Sequence, residues 1–150
     1  MAQSLGHIIL HIVFSTKGRE PLIEESIAPH LHAYLATVCR DIGCHAYRVG
    51  GTADHVHLVT TLSRTLSTSK LIEHAKKVSS AWMKQQDPKY GSFYWQRGYG
   101  SFSVSPTHLD DVIRYVGNQP DHHAKLTFQD ELLGFLKKYG IEYDERYVWD

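Results

Sequence analysis

The stretch Asp54-His55-Val56-His57-Leu58-Val59 sets two histidines around one β-branched residue, inside a run that reads as a strand over residues 55–61. Side chains alternate along a strand, so His55 and His57 share one face and Val56 takes the other. Two imidazoles side by side on a rigid strand make half of a metal-ligand set. Taken alone, the pair reads more readily as two surface histidines on a half-exposed strand.

Reading outward from this strand, Gly50-Gly51 suits a turn, with a short strand before it at 44–49. Earlier, Ile27, Leu31, Leu35, Val38 and Ile42 recur at helical spacing over 24–42, and Gly43 supplies a stop. Residues 6–14 are rich in β-branched side chains and predict the first strand. After the histidine strand, 67–86 reads as an amphipathic helix with Leu71, Ile72, Ala75, Val78 and Trp82 on its apolar side.

The aromatic, Gly-rich segment 91–105 ends in a fourth strand. A third helix opens near Ser105-Pro106-Thr107 with Thr107 as N-cap, and a last one runs over about 127–139 to Gly140. This order predicts one α+β domain over residues 1–150. The expected fold is a ferredoxin-like split βαβ: an antiparallel sheet of four to five strands with helices on one face, followed by extra C-terminal helices.

Composition narrows the class. The chain has 150 residues, 42% of them hydrophobic, so a packed core is expected rather than disorder. No apolar run approaches the roughly 20 residues of a membrane span, and no signal peptide is evident. Cys39 and Cys44 are too few for a disulfide scaffold, which makes a reduced cytoplasmic protein the expectation. The formal net charge is zero, but its distribution is uneven. Residues 64–97 carry seven Lys and Arg against two acids, and residues 110–150 carry nine acids against five bases. A neutral total thus hides a cationic stretch and an anionic tail.

On the third helix, Leu109, Val112, Ile113 and Val116 form the apolar stripe. Tyr115 and Gln119 fall one turn apart along its edge, and His122 joins them if the helix passes Pro120. A phenol can serve as a covalent nucleophile toward an activated phosphodiester. Two neutral imidazoles and an amide oxygen would leave open positions on a divalent ion, which favours Mg²⁺ or Mn²⁺ over a closed structural zinc. Singly, Tyr115 reads more readily as a residue at a core margin and Gln119 as a surface amide.

Together these residues carry a family likeness. The chain resembles the single-domain tyrosine transposases of the HUH single-strand nuclease superfamily, including relatives associated with repetitive extragenic palindromes. The matching pieces are Phe14-Ser15-Thr16-Lys17 with Arg19 and Pro21, Asp54-His55-Val56-His57, Trp95-Gln96 through Phe102-Ser103-Val104-Ser105, and Ile113-Arg114-Tyr115-Val116-Gly117-Asn118-Gln119. The tail His122-His123 and Gly140 to Tyr147 fits one branch of the family.

The resemblance implies that His55, His57 and Gln119 bind the divalent cation. It implies that Tyr115 attacks DNA to leave a 5′-phosphotyrosine and a free 3′-hydroxyl. It further implies single-stranded DNA with hairpin ends as substrate, and a homodimer in which the tyrosine helix of one subunit can serve the histidines of the other. From their chemistry, Lys17, Arg19, Lys76, Lys77 and Arg97 are candidate DNA contacts, and Tyr94, Trp95, Tyr99 and Phe102 are candidate base-stacking or core residues. His7 and His11 read as sheet residues rather than ligands. Two rival readings remain: a non-catalytic single-stranded nucleic-acid binder on the same fold, and a phosphoesterase that uses water in place of Tyr115.

Overall fold

A computed structural model describes residues 2–150. Its strands are β1 (Ile9–Ser15), β2 (Ala46–Gly51), β3 (His55–Thr61) and β4 (Gly100–Val104). Its helices are α1 (Ala28–Asp41), α2 (Thr68–Gln86), α3 (Leu109–Gly117), α4 (Gln119–His123) and α5 (Phe128–Lys138). The sheet runs β2-β3-β1-β4 with every neighbouring pair antiparallel. This is the expected split βαβ order, with four strands.

The pleat divides the sheet into two faces. Leu10, Ile12 and Phe14 of β1 and Val56 and Leu58 of β3 point to one face, where Leu31 and Leu35 of α1 and Leu71, Ile72 and Met83 of α2 complete a buried core. Each such side chain contributes about 1.5–3 kcal/mol by leaving water. The other face is covered by the C-terminal helices. Val13 and Phe102 pack against Phe128, Leu132 and Leu136 of α5, while Ile9 and Val59 pack against Val116 of α3. The helices of the βαβ units thus share one face as expected, and the added helices close the other. The histidines lie on that second face. Val13 pairs with His57 and Ser15 with His55.

Local chemistry explains the boundaries. Ser67 caps α2 by accepting from Lys70 N at 3.1 Å, and Thr127 caps α5 by accepting from Asp130 N at 3.2 Å. Pro29 stands in the first turn of α1. The entry to α3 differs from expectation. Ser105, not Thr107, supplies the capping hydroxyl, to a single 3₁₀ turn at Pro106–His108, and α3 follows it. Asn118 separates α3 from α4, and Pro120, in the first turn of α4, has no N–H to continue the α3 hydrogen bonds.

Gly50 and Gly51 lie inside β2 rather than in a turn. A Cβ on Gly50 would stand 2.3 Å from the Val116 carbonyl oxygen. That glycine therefore lets the backbone of α3 rest directly on the sheet.

Candidate metal and nucleophile site

β3 presents His55 and His57 side by side, both fully buried. The proton on each ring is set by what lies behind it. His55 Nδ1 is 2.7 Å from Asp54 Oδ1. Burial alone would raise the Asp54 carboxyl, but the bond from His55 outweighs it and holds the group ionised. An ionised carboxylate only accepts, so it assigns a proton to His55 Nδ1, and in the neutral ring Nε2 is then a bare lone pair. That lone pair faces Gln119 Oε1 at 3.1 Å and Glu131 Oε1 at 3.7 Å. Three lone pairs converge there, an arrangement that suits a cation.

His57 behaves alike. Its Nδ1 is 2.7 Å from His11 Nε2, and its Nε2 is 2.8 Å from Glu131 Oε1. Burial lowers His57 to about 4 and His11 to about 3, so both rings are neutral near pH 7. When His57 donates Nδ1–H to His11, its Nε2 is free to ligate.

Tyr115 of α3 reaches this group from the side. Its hydroxyl donates to Glu131 Oε2 and lies 3.2 Å from His122 Nε2. Burial and the bond to Glu131 raise the phenol above its ordinary value. Gln119, at the start of α4, is fully buried and donates Nε2–H to Glu131 Oε2 at 3.2 Å. Glu131 Oε2 is also 3.1 Å from His123 Nε2, although the two are not aligned for a hydrogen bond and the buried nitrogen has no other partner. Burial would raise the Glu131 carboxyl, but the His123 and His57 imidazoles and the Tyr115 hydroxyl beside it together hold it far below the usual range. His55, His57, His123 and Glu131 each offer one ligand atom, and these atoms lie within 4.8 Å of one another.

The structure therefore brings Tyr115, His55, His57 and Gln119 together in one chain. Tyr115 is half-buried and lines a 650 Å³ cavity with His11, Ser103 and Phe135. On the other side, Asp54, Pro120, His123 and Phe128 line an 810 Å³ cavity. Tyr115 is therefore not sealed in the interior.

Sequence reasoning missed Glu131, and with it a role for His123. A signal existed: Glu131 stands on the apolar side of α5 between Phe128, Leu132 and Phe135, where an acid needs a buried partner. His11, read as a sheet residue, proves to be the hydrogen-bond partner of His57.

The candidate DNA contacts gather at the end of β1 nearest His55. Lys17, Arg19, Tyr94, Arg97 and Trp149 line a 680 Å³ cavity. Lys76, Lys77, Arg97 and Tyr99 line an adjoining one of 410 Å³. Arg19 lies over the Trp149 ring at 5.6 Å. The Lys76 ammonium is already committed, donating to the carbonyls of Gln96, Arg97 and Gly98 at 2.9, 3.2 and 2.7 Å. Phe93, Trp95 and Phe102 are buried core residues, whereas Tyr94 and Tyr99 are exposed.

Residues 4–119 match the family described as Transposase IS200 like. The chain belongs to that transposase family. Among solved structures, a candidate transposase from Deinococcus radiodurans R1 superposes on this transposase with a TM-score of 0.61 at 20% identity, over 79% of this chain and 98% of its own. A REP-associated tyrosine transposase bound to a REP hairpin superposes with a TM-score of 0.59 at 14% identity, over 84% of this chain and 76% of its own. These two likenesses show a shared fold. Comparison with curated proteins gives no match. No helix among the described residues of this transposase is long and apolar enough to cross a membrane.

Proposed function

We propose that this transposase cleaves and rejoins single-stranded DNA through a 5′-phosphotyrosine on Tyr115. In this reading His55, His57 and Gln119 hold Mg²⁺ or Mn²⁺. The observation that carries it is the bridge of one carboxylate, Glu131, between the Tyr115 hydroxyl and His57 Nε2. The nucleophile and the candidate metal ligands thus meet within a single chain.

The converging lone pairs on His55, Gln119 and Glu131 fit a divalent ion. When bound, such an ion would supply charge withdrawal from a non-bridging phosphate oxygen. The protein's own residues do the rest. The Glu131 Oε2 acceptor orients the Tyr115 hydroxyl, and its proton passes to His122 Nε2, 3.2 Å away on the other side. The phenolate oxygen forms a bond to phosphorus, the P–O3′ bond breaks, and the 3′-oxygen takes a proton from water. The phosphotyrosine conserves the ester bond, so a 3′-hydroxyl can reverse the step without ATP.

Lys17, Arg19, Lys77 and Arg97, with Tyr94 and Tyr99, supply cationic and stacking groups for hairpin DNA beside the site, and Lys76 supports their loop. Because the site assembles within one chain, a homodimer would present two complete sites rather than shared halves. A cytoplasmic location completes the reading. The rival nucleic-acid binder would need exposed aromatics on the central strands. Here β1 and β3 are buried beneath helices on both faces.

The test is incubation with labelled single-stranded hairpin DNA and Mn²⁺ or Mg²⁺, resolved on a denaturing gel. A covalent adduct is expected, absent in Tyr115→Phe and weak in His57→Ala. Cleavage that persists in Tyr115→Phe would assign a hydrolase, and binding without cleavage would assign the non-catalytic binder.

A further inference from the structure

Glu131 is the least expected residue in the site. Its side chain is 2% exposed, yet it forms no ion pair with Lys or Arg among the described residues. Its neighbours are the imidazoles of His55, His57, His122 and His123, the Tyr115 phenol and the Gln119 amide. A buried carboxylate without a cation is costly, and two of these rings are held close to an acceptor by their own partners. His55 spends its Nδ1 proton on Asp54, and its remaining lone pair points toward Glu131 Oε1. His57 can spend its proton on His11 in the same way. His122 and His123 stand on the Oε2 side at 3.5 and 3.1 Å, which leaves Oε1, between His55 and His57, without a cation of its own.

We propose that Glu131 ligates the divalent ion through Oε1, so that α5 forms part of the metal centre together with β3. This rests on the reading of His55 and His57 as a metal-holding pair. The ligand set then comprises two imidazoles and a carboxylate, with the Gln119 oxygen and His123 Nε2 beside them. Imidazole donors favour Mn²⁺ over Mg²⁺, and the carboxylate adds the charge that neutral imidazole and amide donors lack. The family-matched stretch ends at residue 119, so Glu131 lies outside it. The inferred ligand therefore belongs to the C-terminal segment of this chain. Oε1 faces the histidines while Oε2 accepts the Tyr115 hydrogen bond, so one residue both grips the ion and orients the nucleophile.

The test is Mn²⁺ binding to metal-stripped protein in the absence of DNA. Isothermal titration and loss of the free Mn²⁺ electron-spin-resonance signal give the affinity, and far-UV circular dichroism checks the fold. Glu131→Gln keeps the shape and removes the charge, and should weaken Mn²⁺ binding at least tenfold. His57→Ala should abolish binding, and Glu142→Gln, at an exposed carboxylate outside the site, should leave it within about twofold. Glu131→Asp keeps the charge and withdraws the oxygens by one methylene. It serves if the Gln variant does not fold, and a several-fold loss is expected. Wild-type affinity in the folded Glu131 variants, with binding lost in His57→Ala, would overturn the role of Glu131 and leave the histidine pair standing. Wild-type affinity in the Glu131 variants and His57→Ala alike would overturn both.

Discussion

His11 Nε2 and His57 Nδ1 lie 2.7 Å apart, with their rings stacked at 4.9 Å between centroids. One proton joins two neutral imidazoles. When His57 donates it, His57 Nε2 is left bare toward Glu131, as metal ligation needs. His11 is thus a positioning residue for His57.

His11→Phe should leave the His57 N–H without an acceptor and free its ring to rotate. We expect Mn²⁺ affinity to fall about 10-fold, with stability lower by about 1–3 kcal/mol for the orphaned donor. His11→Gln, which can accept through Oε1, should recover part of the affinity. Titration calorimetry on the two variants decides it, and unchanged affinity in His11→Phe would remove His11 from this role.

Acid should destabilise the metal-free protein over a defined window. Burial holds His57 at about 4 and His11 at about 3, below the ordinary 6.5. Below pH 6.5 the unfolded chain binds protons at these positions while the folded chain does not. Stability present above 6.5 is therefore lost as pH falls toward 4. Glu131, whose folded value is depressed, adds a loss in the same direction at lower pH. His123 opposes: its value is raised, so its contribution is present below 6.5 and lost as pH rises through the folded value. The net loss from His11, His57 and His123 between pH 7 and 5 should be on the order of 2 kcal/mol, and His32, which burial also lowers to about 4, adds to it in the same direction. Urea midpoints measured in a chelator at the two pH values check this, and His11→Phe should flatten the dependence.

Gly50→Ala tests the seat of the tyrosine helix. The new methyl would meet the Val116 carbonyl at 2.3 Å, and the neighbour is backbone that cannot swing aside. We expect a loss of about 2–3 kcal/mol and a displaced Tyr115. Thermal melting reports the first and adduct yield the second. A melting point equal to wild type would contradict the close packing of α3 on β2.

Lys76 and Lys77 are adjacent yet should separate cleanly. Lys76 donates to three carbonyls, and burial lowers its ammonium to about 8. Lys76→Met should cost about 1–2 kcal/mol and loosen residues 96–98. Lys77 is exposed, so Lys77→Ala should change stability by less than about 0.5 kcal/mol. It should instead weaken DNA binding and reduce the salt slope by about 0.7 for a single-stranded phosphate contact. Chemical denaturation and salt-dependent binding of each variant distinguish the two roles.

Much of this fold is legible along the chain because its signals are local. The β-branched run of β1, the helical spacing of α1 and α2, and the stop at Gly43 each depend on residues within a few positions. Gly43 takes φ of +83° as a helix terminator should. Gly50-Gly51 misleads for the opposite reason. Their turn-like chemistry serves a close approach by Val116, far away in sequence, which no local pattern reports.

The sequence by itself determined the succession of strands and helices, the shared face of His55 and His57, and the candidates Tyr115 and Gln119, because period and spacing are properties of neighbouring residues. Only the tertiary structure decided that α5 folds across the second face of the sheet and drives a carboxylate between those histidines and that phenol. It also decided that His11 stands behind His57 and that Lys76 is spent on backbone carbonyls. Proton positions, buried charge and ligand convergence arise from distant segments brought within hydrogen-bond reach, and such distances are not written in the order of the residues.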